Sequence, residues 1–221
     1  MATPVLKTRD RIVEAARRLF NERGYGEVTT AALASHLGMA EGNLWYHFKT
    51  KRALLEAIAA HYADSIAARL RLHPGMATDC VEDYVALLKT CMHEFRTFRF
   101  LFRDQATYGE HVESIAAQAP HWLEASFVQF EEHLAALVDH RLLDWPRGQL
   151  RDLAINATII LRYGLEHFRE MGEPTAEGTG AVRKTLLRHL TLFDHALEPV
   201  TADRLRTAIG RMELEALAEA A

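Results

Sequence analysis

Apolar residues recur along most of the chain at three- and four-residue spacing, the period of a helix with one buried face. Ile12, Ala15, Ala16, Leu19 and Phe20 form the first such stripe and predict a helix over 8–23, with Thr8 as its cap and Gly24 at its end. Thr29 and Thr30 follow, and their side-chain oxygens suit the open N–H groups of a first helical turn. Ala31, Leu33, Ala34 and Leu37 give a second, short helix one apolar side, and Gly38 suits the left-handed turn that ends it. A third helix is expected from about Ala40 to Phe48, with Leu44 and Phe48 four apart on its packing face. Two short helices joined by a glycine turn make a helix-turn-helix pattern. The second of them leaves Asn43, Trp45, Tyr46 and His47 on its other sides.

The pattern then lengthens. From Thr50 to Leu72 there is no glycine or proline, and Leu54, Leu55, Ile58, Ala59, Tyr62, Ile66 and Leu70 make one stripe that Pro74 and Gly75 stop. A helix of that length spans about 30 Å, enough to link the first unit to whatever follows. Further helices are expected over 78–96, over 120–141 with Pro120 as a break before it, over 150–171 and over 181–197, and from a Thr201 cap to the terminus. The segment FRTFRFLFRD at 95–104 combines four phenylalanines with three arginines, and GEPTAEGTG at 172–180 reads as a loop. No stretch alternates like a strand. The expected fold is all-α, with an N-terminal three-helix helix-turn-helix domain over 1–52, a connecting helix over about 50–72, and a larger helical domain over 53–221.

Charge sharpens this division. The chain carries a net charge of -4 over 221 residues, but residues 1–52 hold nine Lys/Arg and five Asp/Glu, a net +4, and the remainder holds 17 and 25, a net -8. A basic head on an acidic body fits a molecule whose head alone meets phosphates. No run approaches the roughly 18 apolar residues of a membrane span. The start, MATPVLKTRDR, has no apolar signal core, so a cytoplasmic location is expected. Cys80 and Cys91, eleven residues or roughly 16 Å apart on one helix, are too far apart for a mutual disulfide and read as small apolar fillers. The 12 histidines are scattered, and no HExxH, CxxC, GxSxG or glycine-rich phosphate loop occurs. No catalytic residue, metal or cofactor is expected.

Three stretches, IVEAARRLFNERGY at 12–25, VTTAALASHLGMAEGNLWYHF at 28–48 and KTKRALLEAI at 49–58, resemble in order and spacing the DNA-binding domain of the TetR family of bacterial transcriptional regulators. The resemblance implies a ligand-responsive, dimeric regulator, in sense a repressor, with double-stranded DNA, a second copy of itself and a small-molecule effector as partners. On chemistry, Thr29 and Thr30 suit a phosphate at a helix start. On the resemblance, Lys51 is the phosphate-binding lysine, Tyr46 and His47 meet the backbone, and Asn43 and Trp45 sit at the base-reading positions. Asn pairs bidentately with adenine, and an indole edge packs on a thymine methyl. Gly42 lets the helix approach the groove closely. Three residues depart from the family pattern: Ala31, Ala40, where many members have serine, and Glu41. A carboxylate at 41 accepts from cytosine N4 and repels phosphate, so the operator is expected to be this chain's own.

The resemblance further implies a ligand pocket inside the body. Aromatic and polar residues at 93–130 are its candidate lining: His93, Phe98, Phe102, Gln105, Tyr108, His121, Trp122, Phe127 and Phe130. Their rings point to a lipophilic or aromatic effector, although rings at helical spacing also serve as plain core. Arg96, Arg99 and Arg103 are expected to be solvated or paired with acidic neighbours. A dimer surface is expected on the helices at 150–171 and 181–197, through Ile160, Leu161, Gly164, Leu165, Phe168, Leu190 and Phe193. The rival reading is a helical ligand-binding or scaffolding protein that does not read DNA and whose head docks an acidic partner.

Overall fold

The computed structural model describes residues 7–104 and 113–219, with side chains for 7–104 and 116–212. Among them are ten α-helices: α1 Thr8–Arg23, α2 Thr30–His36, α3 Glu41–His47, α4 Lys51–Arg69, α5 Cys80–Thr97, α6 Arg99–Arg103, α7 Glu113–Asp139, α8 Leu150–Glu170, α9 Ala181–Leu190 and α10 Pro199–Glu219. Extended pairing among the described residues is confined to one isolated bridge, Leu143 to Leu197. The fold is therefore all-α. The chain divides into two compact units, Met1–Ile66 with Thr97–Pro120, and Ala67–Arg96 with His121–Ala221. This division groups 53–66 and the α6 segment with the head, where the sequence suggested a boundary after residue 52.

In the head, the predicted stripes face one another. Ile12, Ala16, Leu19 and Phe20 of α1, Val28 just before α2, Leu33 and Ala34 of α2, and Leu44 and Phe48 at α3 are all buried. Full burial of each large side chain contributes about 1.5–3 kcal/mol. Thr29 caps α2 by accepting from Ala32 N at 3.1 Å, and Gly38 takes the left-handed φ of +65° that turns the chain into α3. Thr50 Oγ1 likewise accepts from Ala53 N at 3.0 Å and starts α4. The α1 cap differs from expectation: Thr8 is already helical, and Lys7 occupies the cap position without a side-chain bond.

The arginine-rich segment fastens the end of α1. Arg103 donates to the carbonyls of Phe20 at 2.6 Å and Asn21 at 2.9 Å, and Arg99 donates to Asn21 O at 3.1 Å. Asn21 Oδ1 accepts from Phe100 N at 2.9 Å, and Asp104 accepts from Tyr25 N at 2.7 Å. Cations on open carbonyls match the negative end of the helix dipole. Arg103 also pairs with Asp104 at 2.6 Å, and Arg96, in the body, pairs with Glu177 at 3.0 Å.

In the body, Tyr84, Phe130, Leu134, Phe168, Leu186, Phe193 and Leu205 form the core. Helices α8 and α9 approach closely because position 164 is glycine: a Cβ there would lie 2.3 Å from Thr185 Cγ2. This packing places the residues expected at a dimer surface as follows. Leu161, Gly164, Leu165, Phe168, Leu190 and Phe193 are buried within the single chain, and Ile160 is partly so. Their stripe faces α9 and the core of the chain. The apolar groups that α8 exposes are instead Ile159, 48% exposed, and Tyr163, 54% exposed.

Several element ends also move. Helix α7 begins at Glu113 and runs through Pro120, where the sequence predicted a break. A proline inside a helix removes one ladder bond, and Pro120 is also where the division between the two units falls. Helix α4 ends at Arg69 and α9 at Leu190 rather than at 72 and 197. Helix α10 begins at Pro199, and Glu198 rather than Thr201 caps it, accepting from Val200 N at 3.1 Å and Thr201 N at 2.7 Å.

Candidate functional site

Helix α3 has one buried face and a polar remainder. Leu44 and Phe48 lock it to the head core, which leaves Glu41, Gly42, Asn43, Trp45 and Tyr46 exposed and His47 half-buried. Tyr46 is 77% exposed and clear of the core, and Trp45 is 37% exposed, with its ring partly covered by the head. The Tyr46 and His47 rings meet edge to face at 5.3 Å. Ala40 occupies the cap position without a side-chain bond. The open groups of this helix start are thus available to an outside acceptor.

Two of the expected contacts carry internal duties. The Thr30 hydroxyl donates to Glu41 Oε1 at 2.7 Å, which joins α2 to the first turn of α3 and fixes the carboxylate. Thr29 keeps its hydroxyl proton, since its oxygen is the acceptor in the α2 cap. Lys51 Nζ donates to the Tyr25 carbonyl and sits 4.1 Å from the Tyr25 ring centre. Burial pulls its pKa below the ordinary lysine value, against the opposing pull of Glu27. The lysine is a clamp between α4 and the turn after α1, and two of its three donors remain for other use.

Among the described residues, those expected at a ligand pocket belong to two different units. Phe98 and Phe102 belong to the head unit and pack on Tyr62, with ring centres 5.2 and 5.7 Å away. Gln105 and Tyr108 lie outside the described residues. His93 and His121 are exposed, and Trp122 and Phe127 are half-buried, Phe127 beneath Arg151 at 5.4 Å. Phe130 is plain core, edge to face with Tyr84 and His189 at 6.3 Å each.

The body instead buries a polar centre that the sequence reading did not single out. Arg69, 2% exposed at the end of α4, donates to Glu94 at 3.0 Å, Gln129 at 2.6 Å and Ser126 at 2.8 Å. Gln129 donates back to the carbonyls of Arg69 at 2.7 Å and Leu72 at 2.8 Å, closing the open end of α4. Glu94 is 1% exposed, and its Oε1 has no hydrogen-bond partner among the described residues. Desolvation outweighs the Arg69 charge and raises its pKa above the ordinary glutamate value. One signal was present: Ser126, Gln129 and His133 recur at three- and four-residue spacing on the face of α7 that also carries Phe130 and Leu134. Polar side chains on an apolar stripe mark a buried network.

Comparison with known proteins identifies the family. Residues 12–58 match the model of the bacterial regulatory proteins of the tetR family, and residues 61–205 match that of a bacterial transcriptional repressor. Over 98 residues the chain is 33% identical to the class D tetracycline repressor of Escherichia coli, a match covering 44% of this chain and 42% of that protein. Over 94 residues it is 35% identical to the transcriptional regulator UidR of Escherichia coli strain K12, covering 42% and 47%. The chain thus spans less than half the length of these curated relatives. A TetR-family regulator from Marinobacter aquaeolei VT8 has the same fold, with a TM-score of 0.77, 22% identity, and coverage of 94% of this chain and 100% of that one. The family is one of transcription regulators rather than enzymes, and no helix among the described residues is long and apolar enough to cross a membrane. The two family models together take in more than half of the chain, which therefore belongs to the TetR family of bacterial transcriptional regulators and carries its DNA-binding helix-turn-helix.

Proposed function

We propose that the chain is a cytoplasmic repressor that binds a palindromic operator as a homodimer and is released by a small lipophilic or aromatic effector. The exposed face of α3 carries this reading: Gly42, Asn43 and Tyr46 are outward and Trp45 is partly so, on a short helix of the size that enters a major groove. Asn43 and Trp45 read base edges, Glu41 selects cytosine, and Thr29, Tyr46, His47 and Lys51 meet phosphates. Two heads related by two-fold symmetry read half-sites about 34–36 Å apart, or a multiple of it. The dimer forms through the outward side of α8, where Ile159 and Tyr163 lie four residues apart. The effector binds in the body beside Trp122 and Phe127, the half-buried aromatic residues of α7.

The test is operator binding followed by gel shift across a salt series, using the DNA upstream of the chain's own gene. Tyr46→Ala and Asn43→Ala are the informative variants, since neither residue packs in the core. Lys51→Ala is less so, because it also breaks the Tyr25 clamp. Each informative variant is expected to weaken binding by about tenfold or more, with melting temperature unchanged. A flat dependence of log K on log salt, or wild-type binding by both variants, overturns the reading.

A further inference from the structure

Several arginines of the head are held by acceptors within it. Arg17 and Arg18 pair with Glu14 at 2.7 and 2.8 Å, Arg52 pairs with Glu56 at 3.0 Å, and Arg103 donates to the Phe20 carbonyl at 2.6 Å. Arg9 is different. It is exposed, and the group it meets is a ring: its Cζ lies over the face of Phe48, 4.7 Å from the centre, within the roughly 6 Å of a cation–π contact. No carboxylate or carbonyl among the described residues takes its N–H groups. Phe48 is buried in the head core and so is a fixed platform. It also ends α3: its N–H donates to Leu44 O at 2.9 Å, His47 precedes it, and Lys51 opens α4 three residues later. The guanidinium therefore stands at the corner where α3 gives way to α4, beside the two side chains assigned to phosphates there. Its position does nothing for α1 itself, since Arg9 lies in the first turn, where a cation meets the positive end of the helix dipole.

We propose that Arg9 is a further DNA contact, donating to a phosphate of the backbone that His47 and Lys51 also meet; this rests on the reading of α3 as the DNA-binding helix. Stacking carries the argument. A guanidinium laid on a ring has lost part of its freedom before DNA arrives, while its planar donor edge stays open. That edge matches a phosphate in two parallel bonds, which a flexible lysine cannot reproduce. Such a contact fixes the register of the head on the duplex and adds affinity without reading bases. Arg9 thus complements Asn43 and Trp45, which are assigned to base edges, and it lies on a different helix from either.

Anisotropy titrations of the full chain on the DNA upstream of its own gene, across a salt series, test the contact with Arg9→Gln and, as a charge-matched control, Arg11→Gln. Arg11 is also exposed on α1, but two residues on and so on another side of the helix. Arg9→Gln is expected to weaken binding by about tenfold and to lower the slope of log K against log salt by about 0.9 for each head bound. The loss should be the same when the half-site bases are altered, because a phosphate contact carries no sequence information. Arg11→Gln should match the native chain. Arg9→Lys keeps the charge and should restore the slope, and it decides alone should Arg9→Gln lower the melting temperature. An unchanged slope in Arg9→Gln, an equal loss in Arg11→Gln, a reduced slope in Arg9→Lys, or a loss confined to one base sequence overturns the proposal and leaves the reading of α3 standing. A native chain that does not bind, or binds without salt dependence, overturns both.

Discussion

The two compact units handle polar chemistry in opposite ways. The head turns it outward, with Tyr46 77% exposed and the exposed Asn43 nearby on the same short helix. The body turns it inward, with Arg69 and Glu94 almost wholly enclosed. Exposed polar groups carry no desolvation penalty and add little to stability, so α3 is free to vary its outward residues without unfolding the head. Enclosed charges are tolerated only when paired, and the bonds of Arg69 to Glu94, Gln129 and Ser126 tie α4, α5 and α7 together. The head is thus built to be read from outside, and the body is built to hold one geometry until something competes for its internal bonds.

The largest expected effect breaks that inner arrangement. Glu94→Leu leaves the Arg69 guanidinium buried without its charge partner and is expected to lower unfolding free energy by about 3–5 kcal/mol in urea denaturation. Arg69→Met combined with Glu94→Leu removes both charges and is expected to regain most of the loss. A double variant as unstable as the single one would show that the network stabilises by more than mutual neutralisation. Equivalent removals at Asn43 or Tyr46 are expected to stay within about 0.5 kcal/mol of wild type. A larger loss there would erase the contrast between the units.

A second buried group gives the body a pH dependence. His189 accepts from the Tyr84 hydroxyl at 2.7 Å, and complete burial lowers its pKa from 6.5 to about 4. Above pH 6.5 the ring is neutral folded and unfolded, and its contribution is fully present. As pH falls from 6.5 towards 4 the unfolded chain takes up the proton first, so stability is lost, by about 3 kcal/mol in full. Glu94 works in the opposite sense, since its pKa is raised on folding and its burial is least unfavourable in acid. Urea midpoints measured from pH 7 downwards should fall, and His189→Leu with Tyr84→Phe should flatten the decline. An unchanged slope in that double variant assigns the acid sensitivity elsewhere.

The same contrast governs what the sequence disclosed. Outward residues of α3 were legible because the helix period assigns Leu44 and Phe48 to one face and so exposes the rest. Thr29 as a cap and Gly38 as a turn followed from local chemistry. The polar centre was not legible in the same way: Arg69 and Glu94 look like ordinary surface charges until distant helices are brought together. What covers the expected dimer stripe was hard to read for a related reason. Apolar periodicity shows that a face is buried but not by what, and Gly164 brings Thr185 close enough for the chain to cover its own stripe. Pro120 misled because a proline's local effect on the ladder is tolerated in a long helix that packing supports.

The smallest effect lies where the two kinds of chemistry meet, at the Thr30–Glu41 pair. The bond is exposed, so Thr30→Val should alter stability by less than about 1 kcal/mol. On the proposed function, its consequence is for base selection rather than folding. A carboxylate held at 2.7 Å by the Thr30 hydroxyl keeps one oxygen unoccupied and aimed in one direction, the arrangement that discriminates a cytosine amino group from the acceptors of guanine. Selection from a randomised operator library should therefore return cytosine opposite Glu41 with the native chain, a weaker preference with Thr30→Val, and tolerance of other bases with Glu41→Gln. The loss of affinity for the native operator in Thr30→Val should remain below about tenfold, because positioning one contact is worth less than supplying it. A base preference untouched by Thr30→Val would reduce the pair to a surface hydrogen bond and leave the discrimination to Asn43 and Trp45.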